Sequence, residues 1–227
     1  ENGQAVLYMG LDQVRDLTRE TQNRILRQRP YRSLADFLTR VDPRPGEVED
    51  LIKAGAMDGL GTIPDLLNQL ASGPGWRKGQ LPLFSLELVR EGDGEVDWSL
   101  AQRVAAEQAL LGASVSAHPV DLVAGKVVEA GAITTPDAAR RVGERVRVAG
   151  MRQTWRRSGT ARGDYVYFMT MDDPEGTMNV FISAEVYNRN SKIFSNDVPF
   201  LVEGIVEVNQ SGEEPTLRAE KVWRLIN

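Results

Sequence analysis

Residues 145–182 read RVRVAGMRQTWRRSGTARGDYVYFMTMDDPEGTMNVFI. Before Glu144 the apolar residues recur at helical spacing, whereas from Arg145 they alternate with polar ones, which is the period of a half-buried strand. Three strands are predicted here: Arg145–Arg157, Asp164–Asp172 and Thr177–Ser183. Tyr167, Met169 and Met171 share one face of the second strand, and Met178, Val180 and Ile182 share one face of the third. Those are the faces expected in a core. Phe168, Thr170 and Asp172 lie opposite, with Asn179 and Phe181 on the neighbouring strand. The turn Asp173–Gly176 fixes the register, so that Phe168 stands across from Phe181 and Thr170 from Asn179. The span 145–162 also holds six arginines and no acid (Arg145, Arg147, Arg152, Arg156, Arg157 and Arg162), in a chain whose net charge is −5. Arg156, Arg157 and Arg162 fall in or beside the first hairpin loop.

Further toward the C-terminus, Ala184–Phe194 has a helical pattern, and Pro199–Val208 and Thr216–Trp223 read as two more strands. Three strands, a helix and two strands is the order of an OB-fold, a small closed barrel that often binds single strands. On the N-terminal side the chain is helical and cut by turn signals. One helix is expected over Gln13–Gln28, ended by Pro30. Another is capped by Ser33 and carries Leu34, Phe37, Leu38 and Val41. A third spans Glu47–Ala54 and is closed by Gly55, with further short helix over Met57–Leu60 and Ile63–Leu70. The predicted class is therefore α+β, an N-terminal all-α helix-hairpin-helix region followed by a five-stranded OB-fold β-barrel. The expected division is a helical region over 1–70, a linker over 71–96, a helical connector over 97–144 and the barrel over 145–227.

Two hundred and twenty-seven residues suffice for two ordinary domains with real cores. No apolar run approaches the ~18–20 residues of a membrane span, so no membrane partner is expected. The first residues, ENGQAVLYMG, show no secretion signal, and the start in mid-pattern at Glu1 points to a piece of a longer chain. With no cysteine and one histidine, thiolate and His-rich metal sites and a His-based triad are not expected. Neither a metal nor another cofactor is predicted, and the missing cysteines fit a reducing cytoplasm.

Three local patterns carry chemistry. The tight turn Ala54-Gly55-Ala56 after a helix offers backbone N–H groups to a phosphate oxygen, with Lys53 beside them. In the Gly/Pro/Ser-rich linker, between ASGPGWRKG and REGDGEV, sits a short apolar peptide, Gln80-Leu81-Pro82-Leu83-Phe84, held extended by its proline. The third is Trp98 to Leu111 at helical spacing, followed by Ser114-Val115-Ser116-Ala117-His118-Pro119. Preceding a proline at a helix end, His118 is expected to make structural hydrogen bonds.

These patterns resemble the C-terminal third of the bacterial DNA polymerase III alpha family, including its error-prone relatives. The segment YRSLADFLTRV…VEDLIKAGAMDGLG resembles that family's helix-hairpin-helix region, most closely over Leu51–Asp58. Residues Glu107, Leu111, Gly112, Ser116, His118 and Pro119 match its E-x-x-x-L-G-x-x-x-S-x-H-P signature. Phe168–Asp173 with Gly176 resembles the strand and turn of its OB domain, and also the anticodon-binding domains of class II tRNA synthetases. Gln80-Leu81-x-Leu83-Phe84 resembles the clamp-binding motif of bacterial replication proteins. Family members carry an earlier glycine hairpin where this chain has Val14-Arg15-Asp16-Leu17-Thr18; Asp16 places a negative charge where a phosphate would dock.

The resemblance implies a region that binds without catalysing, since the family's polymerase aspartates and its nuclease-like metal site lie upstream. Duplex DNA would be held through Lys53, Gly55 and Ala56. Single-stranded DNA would lie on the barrel through Arg152, Arg156, Arg157, Arg162, Phe168 and Phe181. A bacterial sliding clamp would take Gln80, Leu81, Leu83 and Phe84. Other replisome subunits docked on the barrel, or RNA, are the alternative partners, and the residues leave open whether the parent is the main replicase or a mutagenic relative.

Overall fold

The computed structural model describes residues 9–72, 96–160, 164–194, 198–208 and 214–225. By its contacts the chain falls into two units, Glu1–Ser116 and Ala117–Asn227. The segment 97–144 is thus shared between them: residues up to Ser116, with the helix Leu100–Leu111, belong to the first unit and those from Ala117 to the second.

The first unit packs α1 (Arg19–Gln28), α2 (Leu34–Val41), α3 (Pro45–Lys53), α4 (Ile63–Ser72) and α5 (Leu100–Leu111) around one core. Leu34, Phe37 and Val41 of α2 meet Val48, Leu51 and Ile52 of α3 and Ile63 and Leu66 of α4 in that core. Helices of two to three turns are marginal alone, so this shared burial is what holds them. Ser33 caps α2, its hydroxyl accepting from the Asp36 N–H.

The helix expected over Gln13–Gln28 is shorter than its apolar period suggested. Only a 3-10 turn, Leu11–Gln13, precedes α1, and Asp16 between them takes a left-handed φ of 59°. Thr18 then caps α1 through its hydroxyl, which accepts from the Thr21 N–H. The second departure is Met57–Leu60, where the chain makes successive turns instead of helix. Gly59 and Gly61 flank Leu60, and glycine is costly in a helix that has no other support.

In the second unit, β1 (Arg145–Gly159), β2 (Tyr165–Asp173), β3 (Gly176–Ile182), β4 (Phe200–Val208) and β5 (Pro215–Arg224) close into a barrel in the order β1-β2-β3-β5-β4. All neighbouring pairs are antiparallel except β3 with β5, which closes the barrel in parallel. This is the OB-fold expected from the strand order. The helix α8 (Ala184–Phe194) spans the residues predicted for it.

β1 pairs with β4 through its first half and with β2 through its second, and a bulge between Arg152 and Thr154 bends it. Tyr167, Met169, Met171, Met178, Val180 and Ile182 all lie in the core, as the alternation required. Trp155, Tyr167, Tyr187 and Phe194 plug one end, with the Tyr167 and Tyr187 rings stacked at 3.8 Å. Burial raises the Tyr167 hydroxyl pKa above its ordinary value, with the neighbouring Tyr187 adding to the effect.

The segment ahead of the barrel lies on its outside. Val120 and Val123 join Ala149, Met151, Leu201 and Leu225 in a second apolar cluster, with Ala130 beyond α6 (Ala124–Glu129) packed against it. The helix α7 (Thr135–Ala139) docks on the β2–β3 turn, where buried Asp173 accepts from the N–H groups of Thr135, Glu175 and Gly176. Among the described residues no helix is long and apolar enough to cross a membrane.

Candidate nucleic-acid interface

The register brings four outward side chains into one row across the barrel. Arg156 of β1 stands opposite Phe168 of β2, Phe168 opposite Phe181 of β3, and Phe181 beside Arg218 of β5. The two rings meet edge to face at 5.6 Å, and the Arg156 guanidinium lies 5.6 Å from the Phe168 ring centre. Phe168 is 39% exposed and Phe181 half-buried, so both keep area that a base could cover.

The next row is polar. The Thr154 hydroxyl donates to the Thr170 hydroxyl at 2.9 Å, and Thr170 lies 3.4 Å from the Asn179 side-chain oxygen. A third row holds Asp172, which accepts from Gln153 at 2.9 Å and faces His118 Nε2 at 3.3 Å. The Val120 N–H donates to His118 Nδ1, so Nε2 carries the proton and donates to Asp172. Burial would raise the Asp172 pKa, but the bonds from His118 and Gln153 outweigh it and hold the carboxyl below its ordinary range. His118 thus makes hydrogen bonds that tie residues 117–121 to β2.

The five described arginines of the six do not form one cluster, because alternation and the bulge distribute them. Arg156 alone joins the aromatic row. Arg157 is opposite core-facing Tyr167 and lies over the Tyr165 ring at 4.3 Å, on the other face of the sheet. Arg152 is opposite core-facing Met171 and donates to the Phe194 carbonyl at 2.5 Å. Arg145 and Arg147 pair with Glu203, and Arg145 also with Glu220. Arg162 lies outside the described residues, as do Gln80, Leu81, Leu83 and Phe84.

Arg218, which completes the row, was not singled out from the sequence. Its signal was the alternation with buried Leu217, but the parallel β3–β5 pairing that sets it beside Phe181 has no local signature. Arg218 is itself paired with Glu207 at 2.6 Å, whereas no carboxylate among the described residues lies within 4 Å of Arg156. The row therefore presents one free and one paired cation around two rings.

In the helical unit the geometry differs from the expected phosphate cradle. Gly55, at φ 76°, ends α3 in a Schellman arrangement: its N–H donates to the Ile52 carbonyl and that of Ala56 to the Leu51 carbonyl, both at 3.0 Å. These two amides are occupied inside the protein. Lys53 is paired with Glu49 at 2.5 Å, and the Asp58 carboxylate stands beside the turn and pairs with Arg103.

At the earlier hairpin the anion is internal. Buried Glu47 accepts from the Thr18 N–H at 2.9 Å, the Thr21 hydroxyl at 2.9 Å and the Arg44 N–H at 2.8 Å. A carboxylate of α3 therefore occupies the start of α1, where an external phosphate would otherwise find free donors. Glu107 acts in a similar way, accepting from the Val115 and Ser116 N–H groups and the Ser116 hydroxyl. That contact explains why glutamate and serine occur together in the motif over residues 107–119.

A family described as helix-hairpin-helix motif matches residues 1–63. The error-prone DNA polymerase of Corynebacterium efficiens is 30% identical over 204 residues, covering 88% of this chain and 18% of the relative. The DNA polymerase III subunit alpha of Thermus aquaticus is 29% identical over 243 residues, covering 98% of this chain and 20% of the relative. Among solved structures, asparaginyl-tRNA synthetase from Pyrococcus horikoshii superposes on 41% of this chain and 22% of its own, at 20% identity and a TM-score of 0.35. The chain spans about a fifth of the length of the curated polymerases it matches. It belongs to the DNA polymerase III alpha family, as a C-terminal region carrying the helix-hairpin-helix and OB-fold parts.

Proposed function

We propose that this region binds single-stranded DNA on the outer face of β1–β2–β3 and serves as a non-catalytic, DNA-holding part of a DNA-directed DNA polymerase. The row Arg156–Phe168–Phe181–Arg218 is the observation that supports it. Any base has a π-face to lay on such rings, and flanking guanidiniums take the backbone, so binding is independent of sequence. Contact with duplex DNA falls to the helix-hairpin-helix unit as a whole, since the Gly55 and Ala56 amides are already used.

Anisotropy of a labelled oligothymidylate with the full chain tests the barrel. Phe168→Ala removes stacking worth about 1–3 kcal/mol, so the Kd should rise at least about five-fold with the salt dependence unchanged. Arg156→Ala should lower the log–log salt slope by about 0.7, one single-strand phosphate contact. Wild-type affinity and slope in both variants would remove the barrel face from consideration. Duplex DNA and tRNA in the same assay measure the preference.

The peptide Gln80-Leu81-Pro82-Leu83-Phe84 lies outside the described residues, and its proposed role in clamp binding rests on the motif. Two large apolar anchors supply most of the energy in such peptides, so Leu83→Ala with Phe84→Ala should abolish binding to a bacterial sliding clamp. No binding by the wild-type chain at tens of micromolar would refute that role.

A further inference from the structure

We propose that the barrel carries a second contact for the same strand, a pocket on its β1–β4 side that holds a backbone phosphate. This rests on the reading of the aromatic row as the strand platform. An open cavity of about 350 Å³ lies between residues 130–133 and the start of β1, lined by Arg141, Arg145, Arg147 and Glu203.

Charge is the first argument. Glu203 is 5% exposed and accepts from Arg147 Nε at 2.7 Å and Lys221 Nζ at 3.1 Å, with Arg145 at 3.9 Å. Arg147 also donates through a terminal nitrogen to the Ala130 carbonyl at 3.0 Å, so its guanidinium is held from two sides. These bonds from Arg147 and Lys221 keep the Glu203 carboxyl below the ordinary glutamate range. One buried carboxylate thus gathers more cations than it can neutralise. Counting Arg141, Arg145, Arg147 and Lys221 against Glu203 and Glu220 leaves an excess of two positive charges. Among the described residues, the Arg141 side chain has no hydrogen-bond or ion-pair partner. A braced guanidinium, a free one beside it and an open cavity between them suit the tetrahedral oxygens of a phosphate.

Position is the second argument. The outward row of the platform does not end at Arg218. Arg218 is opposite Ile205 of β4, and Ile205 is opposite Arg145 of β1, at the pocket. From Phe181 to Arg145 is three strand spacings, about 14 Å around the barrel. A strand leaving the two rings in that direction passes Arg218 and reaches the pocket within a few nucleotides.

The test compares a thymidine dinucleotide, long enough for the two rings alone, with an oligothymidylate of about 16 nucleotides, the upper end of what one OB-fold covers. Arg141→Ala removes a side chain without a protein partner, and an unchanged Tm checks that the fold is kept. It should leave the short strand at wild-type affinity, weaken the long one about three-fold or more at low salt and lower its salt slope by about 0.7. Arg145→Gln is the second variant and should act in the same sense.

If both variants keep wild-type affinity and slope for the long strand while Arg156→Ala lowers both, the pocket is off the path and this inference is wrong. If Arg156→Ala is also silent at both lengths, the platform reading fails and takes the pocket with it. Inorganic pyrophosphate is the competitor: it should reduce long-strand affinity to the short-strand level. Pyrophosphate binding that is lost in Arg141→Ala, yet leaves the long strand bound, would assign the pocket to free phosphate compounds and overturn the strand path.

Discussion

Burial alone would push the Glu47 carboxyl toward protonation, yet the Arg44 and Thr18 N–H groups and the Thr18 and Thr21 hydroxyls hold it below the ordinary glutamate range. A carboxyl whose pKa is lowered on folding stabilises the native state above its unfolded value, near pH 4.3, and loses that contribution as the pH falls through the folded value. Glu47→Gln keeps the shape but donates where the wild type only accepts. It should cost about 1.5–3 kcal/mol at pH 7, the worth of hydrogen bonds to a charged group, and flatten the loss of stability below about pH 5. Urea unfolding at pH 7 and pH 4 measures both, and equal stability of variant and wild type at pH 7 would show that the carboxylate is not holding the hairpin. This residue was invisible in the sequence as a phosphate surrogate. Asp16, the expected obstacle to DNA, instead takes a left-handed turn, while the internal anion, Glu47, comes 29 positions after Thr18, whose N–H it accepts.

Among the elements, β4 and β5 approach so closely at the bulge near Gly204 that a Cβ there would stand 2.1 Å from the Arg218 carbonyl oxygen. Backbone cannot move aside as a flexible side chain can, so Gly204→Ala should destabilise the barrel by about 1–3 kcal/mol or prevent its closure. A thermal melt of the full chain would show it, and an unshifted barrel transition would mean that the strands relax without penalty. Five strands and α8 were legible because alternation and helical period are local, and the β2–β3 register followed from one short turn. The β1–β2 register was not, since the bulge re-phases β1 and separates Arg156 from Arg152. Nor was the β3–β5 closure, a long-range pairing that no local pattern encodes. The aromatic half of the candidate site could therefore be read in advance, and Arg218 could not.

At the scale of the molecule, each unit has its own core: the apolar cluster of Val14 to Leu66 lies wholly in the first, and the clusters that include Met169 and Met151 lie wholly in the second. A chain with separate cores should fold in separate parts. Residues 117–227 expressed alone should keep a cooperative melt, near-UV signals from Trp155 and Trp223, and the strand affinity of the full chain. An unfolded or non-binding fragment would show that the barrel depends on residues before Ala117. The bulge in β1 has one more consequence. Ahead of it Arg145, Arg147, Ala149 and Met151 face outward; beyond it Thr154 and Arg156 do, so one residue is slack that the ladder with β2 does not count. Deleting Gln153 would straighten the strand yet leave Trp155 inside and Arg156 outside. Relatives can therefore differ by a residue at this point without scrambling the faces of the barrel, and a gap there in a comparison of chains would mark a change of curvature rather than a change of surface.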